Sequence, residues 1–178
     1  LKIKLNDKEA LYLYVAILTD TGSFRYSNTN SKTHRIISEL LNHKIEPHLI
    51  HEKIYGNTSI SYIKLLSRVL SSLKKEGKIA YISFEGDMSK LDDSAKERFE
   101  DFISYPRALK GVEAAMFFRK LSGNRIKVNF RSKGTFDVNR LARKFGGGGH
   151  IAASGAVIDG TMDEVKKKVL RVTRSLIK

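Results

Sequence analysis

The chain contains no cysteine and no tryptophan, and only two of its 178 residues are proline. Without cysteine there can be no disulfide, no cysteine-ligated zinc and no iron–sulfur centre, which suits a cytoplasmic, reducing setting. Aromatic residues reach only 9% and form no ladder, so the stacked groove of a long single-strand binder has no support here. No apolar run approaches the roughly 20 residues of a membrane span. The longest, Ala10 to Leu18, has the length of a buried helix, and no signal peptide is visible, so no membrane partner is expected. Acidic residues are also in deficit, 19 against 33 Lys plus Arg, for a net charge of +14. Such a field attracts polyanions and speeds their capture without naming one. What remains, 41% hydrophobic and 29% charged residues, describes a globular chain of one medium domain or two small ones.

Helical signals come first. Asn6 with Glu9 three residues later fits a cap and N3 pair opening a helix to about Leu18. Its apolar residues leave almost no polar face, so burial is expected. Ser31 reads as the cap of a second helix striped by Ile36, Ile37, Leu40 and Leu41, and Pro47 opens a third that ends before Gly56. From Ser59 to about Lys75 the period is again helical, and Gly77 stops it. Lys78 to Phe84 then reads as a strand, and acidic Asp87 to Phe102 as a helix with Leu91, Ala95, Phe99 and Phe102 inward. Val112 to Leu121, a turn at Ser122-Gly123-Asn124, and Arg125 to Arg131 form a hairpin. In its second strand Ile126, Val128 and Phe130 alternate with Arg125, Lys127, Asn129 and Arg131, one face buried and one basic. Val138, Leu141, Ala142 and Phe145 mark a helix. A capping box at Thr161 and Glu164 opens the last one, striped by Val165, Val169, Val172 and Leu176. The fold class is α/β, with three segments: 1–56, a helical linker 57–76, and a mixed αβ unit 77–178.

Gly146-Gly147-Gly148-Gly149-His150, followed by Ile151-Ala152-Ala153-Ser154-Gly155, carries the most information. Consecutive glycines let the backbone take positive φ and approach a ligand, and their N–H groups can wrap an anion. A flexible linker is the plain alternative. The helix entering the run, the strand Ala156-Val157-Ile158 leaving it and the adjoining His150 and Ser154 favour a phosphate- or nucleotide-holding loop. His150 could stack on a base, donate to a phosphate, act as an acid, or simply cap the loop. At the end of the basic strand, Arg131 offers a fork to phosphate and Ser132 a hydroxyl, or else Arg131 is a plain hairpin-end charge. The run lacks the Lys-Ser/Thr of a P-loop, and neither a Rossmann fingerprint nor a Ser-His-Asp spacing is present.

Asp20 closes the first helix, where a carboxylate meets the unfavourable end of the helix dipole. It calls for a metal ion or a donor network, or it forms an Asx turn onto the N–H of Gly22. His48 and His51 share a helix face, but no third ligand falls at a matching spacing, so solvated histidines are expected there and at His34.

Ile17-Leu18-Thr19-Asp20-Thr21-Gly22-Ser23-Phe24 and Phe145-Gly146-Gly147-Gly148-Gly149-His150-x-x-Ala153-Ser154-Gly155 together resemble the DHH/DHHA1 phosphoesterase family, within it the nanoRNase/pAp phosphatase branch. Tyr105-Pro106-Arg107, Lys110 to Glu113 and Phe117-Phe118-Arg119 resemble that branch too. The resemblance implies a remnant of a Rossmann-like DHH lobe, mostly helical here, followed by a DHHA1 lobe with a mixed β-sheet flanked by helices. It implies a nucleotide site lined by Arg131, Ser132, Gly148, Gly149 and His150, with Ser154 nearby. It makes Asp20 a ligand of a two-ion manganese (Mn2+) centre and the reaction phosphoester hydrolysis by a metal-bound hydroxide. Substrates would be short RNA, pAp or other small nucleotides, and a homodimer is allowed for. The Asp-His-His triplet that names the family is absent, so the chain is expected to be the C-terminal part of such an enzyme, inactive alone. Ile151, where many relatives would carry proline or another residue, is a lesser departure that leaves substrate preference open. Close alternatives are a cyclic dinucleotide phosphodiesterase and a RecJ-like exonuclease; further off is a non-catalytic basic RNA-binding module.

Overall fold

The structure, a computed structural model, describes residues 4–26, 28–91, 93, 96 and 98–177. It divides into two units, Leu1–Asn57 and Thr58–Lys178.

The first unit is helical: α1 (Asp7–Asp20), α2 (Ser31–Leu40) and α3 (Pro47–Tyr55). The Asn6 side chain accepts from the N–H of Lys8 and Glu9, and Glu9 returns a bond to the Asn6 N–H, completing the box. The second cap is Asn30 rather than Ser31, because the Asn30 amide oxygen reaches the N–H groups of Lys32 and Thr33. Ala10, Tyr14, Leu18, Ile37, Leu40, Ile45 and Ile50 form its core. Only one stripe of α1 is buried, against expectation. Tyr12 and Leu13 lie on the other side, 60% and 44% exposed, since the neighbouring helices of this unit cover a single face.

The second unit is built on one six-stranded sheet in the order β1-β2-β3-β4-β6-β5. The strands are β1 (Lys74–Glu76), β2 (Ile79–Phe84), β3 (Ala114–Lys120), β4 (Arg125–Ser132), β5 (Gly148–His150) and β6 (Ala153–Asp159). Only β2 and β3 run parallel; the other pairs are antiparallel. The helices are α4 (Ile60–Leu70), α5 (Ser104–Ala108), α6 (Val138–Arg143) and α7 (Met162–Leu176). Pleating sends alternate residues to opposite faces. Ile79, Tyr81, Met116, Phe118, Ile126, Val128, Phe130, Ala156 and Ile158 pack under α6 and α7. Ala80, Ile82, Phe84, Ala115 and Phe117 pack under α4 and the turns around Phe99 and Phe102.

Three segments depart from expectation. The supposed linker is part of this unit: Tyr62, Leu65 and Val69 of α4 enter its core. The helix ends at Leu70, and Lys74–Glu76 folds back as β1 through Gly77 at φ 57°, so Gly77 turns a hairpin rather than stopping a helix. Of the helix expected over 87–102, Asp93 and Lys96 are α-helical, but Met88–Lys90 and Phe99–Ile103 are 3-10 helices; Ala95 lies outside the described residues.

The second of these turns also covers the basic face of β4. Glu100 accepts from the Lys127 ammonium and, at 3.0 Å, from Asn129. Burial pushes the Glu100 carboxyl up, but those two donors and the Lys127 charge outweigh it and hold the group below its ordinary value. A depressed carboxylate stabilises the fold above its unfolded pKa and loses that contribution as pH falls through the folded one. The Glu100 side chain is 48% exposed, which limits the pair to about 1 kcal/mol. Urea titrations at about pH 5 and about pH 3 should show Glu100→Gln less stable than the wild type at the higher pH, with the gap closing at the lower.

Candidate functional site

The glycine run is two structures joined end to end. Its first half finishes α6: the Gly146 N–H donates to the Arg143 carbonyl and the Gly147 N–H to the Ala142 carbonyl, with Gly146 at φ 70°. That pairing is the Schellman termination, in which a left-handed residue satisfies two last carbonyls of the helix. Its second half, Gly148 to His150, is β5, joined by a tight turn at Ile151-Ala152 to β6. Gly149 sits at φ 143°, and a Cβ there would stand 2.6 Å from the Ala153 carbonyl oxygen and 2.7 Å from the Ser154 Cα. Only glycine lets these two backbones lie so close.

β5 is the last strand of the sheet, and Gly148, Gly149 and His150 are exposed along it. Arg131 pairs with Ala153, and Ala153 with His150, across three adjacent strands. Residues opposite one another leave a sheet on the same face, so Arg131 and His150 share the face opposite Phe130, flanking the methyl group of Ala153. Two strand spacings separate them, about 10 Å. Arg131 is half-buried, anchored by its Nη1 donating to the Phe130 carbonyl at 3.1 Å, which leaves the rest of the guanidinium fork to a ligand. On this margin the Arg107 Nε of α5 donates to the Ser132 carbonyl at 2.8 Å, bringing a second guanidinium to the end of β4. Sequence reasoning had not placed Arg107 in the site, and its only signal lay in the Tyr105-Pro106-Arg107 resemblance.

The hydroxyls of the two serines donate to backbone carbonyls. Ser154 is buried and donates to the Val138 carbonyl at the start of α6, at 2.6 Å. Ser132 is also buried; its hydroxyl donates to the Ile151 carbonyl at 3.4 Å and its N–H to the Ala152 carbonyl. Their protons are committed to backbone, so they fix the hairpin against β4 and α6 while Arg131 and His150 face outward. On the other side of the hairpin, Asn139, Arg140, Arg143 and Lys144 of α6 line a cleft of ≈ 520 Å³ with Asp137. The Asn139 Oδ1 is buried there without a hydrogen-bond partner, near the bare Cα of Gly148.

Asp20 belongs to the first unit. Its carboxylate accepts from the Asn28 amide at 2.9 Å, and Asn28 also reaches the Asp20 carbonyl. The Gly22 N–H bonds the Thr19 carbonyl instead, so the donor network replaces the Asx turn. Gly22, Ser23 and Phe24 are all left-handed, at φ 56°, 58° and 66°, a conformation that strains the two non-glycine residues. Buried Thr21 holds them: its hydroxyl donates to the Ile17 carbonyl at 2.6 Å and accepts the Phe24 N–H at 3.1 Å.

Among the described residues no three His, Cys, Asp or Glu side chains are grouped to hold a metal. His43 pairs with Asp7 at 3.0 Å, and the His51 ring packs at a tilt against that of Tyr55, 4.9 Å between centres. One carboxylate does not fit a two-ion centre.

A DHHA1 domain model matches residues 78–178. The chain is 32% identical over 163 residues to the "Bifunctional oligoribonuclease and PAP phosphatase NrnA" of Thermus thermophilus, covering 89% of this chain and 48% of that protein. It is 33% identical over 157 residues to the protein of the same description from Bacillus subtilis, covering 87% and 49%. It thus spans about half the length of these curated relatives. Among solved structures, an exopolyphosphatase-related protein from Bacteroides fragilis superposes with a TM-score of 0.82 at 34% identity, over 96% of this chain and 52% of that one. With its second unit matched from β2 to the end of α7 and the glycine hairpin in place, the chain belongs to the DHH/DHHA1 phosphoesterase family.

Proposed function

We propose that this chain supplies the nucleotide-binding lobe of a metal-dependent phosphoesterase acting on short oligoribonucleotides and on the 3′-phosphate of pAp. The observation that carries the reading is the row of Arg131, Ala153 and His150 across β4, β6 and β5, with Arg107 at its end. Arg131 presents a charge-assisted fork to a terminal phosphate. The small Ala153 between the two polar side chains leaves room for a sugar or base, and His150 donates or stacks from the hairpin. A margin built for one terminal nucleotide suits short substrates, in line with the names of the Thermus and Bacillus relatives, bifunctional oligoribonucleases and PAP phosphatases.

A manganese pair, if bound in a complete enzyme, would supply a clamp for phosphate charge and an activated water. Asp20 would be a single ligand toward such a pair, and among the described residues no other carboxylate or histidine groups with it to hold the ions. Catalysis by this chain alone is therefore not expected. The same gap favours a second reading, a non-catalytic basic RNA-binding module, for which affinity would rise with strand length whatever the state of Arg131.

Calorimetric binding of pAp and of a diribonucleotide separates the two. Removing a hydrogen bond to a charged group costs about 2 kcal/mol, a roughly 30-fold loss of affinity. Arg131→Ala should show that loss for both ligands and His150→Ala a smaller one. Unchanged affinity in both variants would leave the module reading in possession.

A further inference from the structure

The second unit carries another basic surface, on the face of the sheet covered by α6 and α7. Between α7 and the β1–β2 edge lies a cavity of ≈ 580 Å³. Two of its cations are occupied: Arg174 pairs with Glu76, which also accepts from the Tyr81 hydroxyl at 3.0 Å, and Lys166 donates to the Ser83 hydroxyl at 3.0 Å. Lys74, Lys167 and Arg171 line the same cavity, which also holds the Asp163 carboxylate. The charge of Lys74 acts on Glu76 and that of Lys167 on Glu164, and among the described residues no salt bridge closes on Arg171. Beyond its first turn, the exposed side of α7 carries Lys167, Lys168, Arg171 and Arg174 and no carboxylate. The Lys168 ammonium sits 5.9 Å from the centre of the Phe145 ring, next to Lys144 at the end of α6. The cations of α7 thus continue those of α6 and lead from the glycine hairpin to the far edge of the sheet, a span of five strand spacings from β5 to β1 or roughly 24 Å.

We propose that this face is a track for the phosphodiester backbone of single-stranded RNA, with a backbone phosphate seated in the cavity between Lys74, Lys167 and Arg171. The proposal rests on the nucleotide reading of the hairpin, which places one end of the strand. Arg131 and His150 stand on the opposite face of the sheet, so the strand reaches the track by passing round the exposed edge of β5. Five cations, Lys74, Lys166, Lys167, Arg171 and Arg174, stand on the cavity wall against two carboxylates, Glu76 and Asp163, and that positive surplus favours a mobile polyanion, whose binding releases its counterions. No aromatic side chain stands on the exposed side of α7, so bases have nothing there to stack on. The track reads charge and length, not sequence.

The test is fluorescence anisotropy with a labelled diribonucleotide and a labelled 24-nucleotide RNA at low and high salt. The proteins are the full chain, the Lys167→Glu/Arg171→Glu variant, and a Lys120→Glu/Arg125→Glu control with the same change in net charge at the β3–β4 turn. Circular dichroism checks that each folds, and Lys167→Gln/Arg171→Gln is the milder substitute if charge reversal unfolds the chain. The α7 variant should bind the 24-nucleotide RNA at least about tenfold more weakly, with the slope of log affinity against log salt shallower by about 1.4, two single-strand phosphate contacts. Its affinity for the diribonucleotide and the behaviour of the control should stay near wild type. An equal loss in the control, or a 24-nucleotide affinity indifferent to the α7 variant, overturns the track. If the wild type ignores the diribonucleotide while the α7 variant still loses the long RNA, the hairpin reading fails and the track stands.

Discussion

Gly147→Ala is expected to destabilise the second unit by about 3 kcal/mol, at the upper end of what overpacking ordinarily costs. A Cβ at position 147 would overlap the Gly155 carbonyl oxygen and stand 2.7 Å from the Ala156 Cβ and 2.8 Å from its Cα. None of these is the free end of a flexible side chain. Two are backbone atoms of β6, which is held by β4 along seven residue pairs, so the strand cannot give way alone. The chain must instead lift β5, and with it Gly149 and His150, away from the sheet. Gly148→Ala makes the natural contrast, because the nearest atom to its added Cβ is the Asn139 Oδ1 at 4.0 Å. Urea unfolding followed by circular dichroism should place Gly147→Ala well below the wild type and Gly148→Ala within about 0.5 kcal/mol of it, as for a surface change that meets nothing. Equal stability of all three would mean that the run is a loose linker after all.

That contrast also shows how much of the site could be read from sequence. The run was conspicuous, yet its composition does not distinguish an anion-wrapping loop from a helix stop followed by an edge strand. Gly148-Gly149-His150 has no strand preference of its own; its conformation is imposed by β6, which pairs with it through a two-residue turn. The alternation Ile126, Val128, Phe130 located the buried side of β4 correctly, because the period of two is a local property. What covers the other side was not local. Glu100, which binds Lys127 and Asn129, is 27 and 29 residues away, and Arg107 reaches the Ser132 carbonyl across 25 residues. The capping boxes at Asn6 and Thr161 were legible for the opposite reason, since both partners lie within one turn. Asp20 stood out as a carboxylate at the wrong end of a helix, but the amide that answers it, Asn28, gave no sign of doing so.

Phe102→Ala should cost about 4 kcal/mol, within the range for removing a buried phenylalanine. Phe102 is 0% exposed and its ring lies 5.2 Å from that of Tyr62 in α4, 5.3 Å from Phe99 and 6.4 Å from Phe117 in β3. It therefore joins three separate segments on one face of the sheet, and tilted aromatic pairs add to the area they bury. Neighbouring rings cannot collapse into the space without leaving their own contacts, so a cavity remains. The consequence for the site follows from connectivity. The turn Phe99–Ile103 runs directly into Ser104–Ala108, so loosening it frees α5 and the Arg107 guanidinium that anchors the Ser132 carbonyl. Phe102→Leu, which keeps most of the volume, should recover more than half of the lost stability. Nucleotide binding measured beside unfolding should fall further in Phe102→Ala than in a comparably destabilised variant on the other face, such as Phe118→Ala in β3 beneath α7. Equal losses of binding in the two would show that the Phe102 turn supports the fold without positioning Arg107.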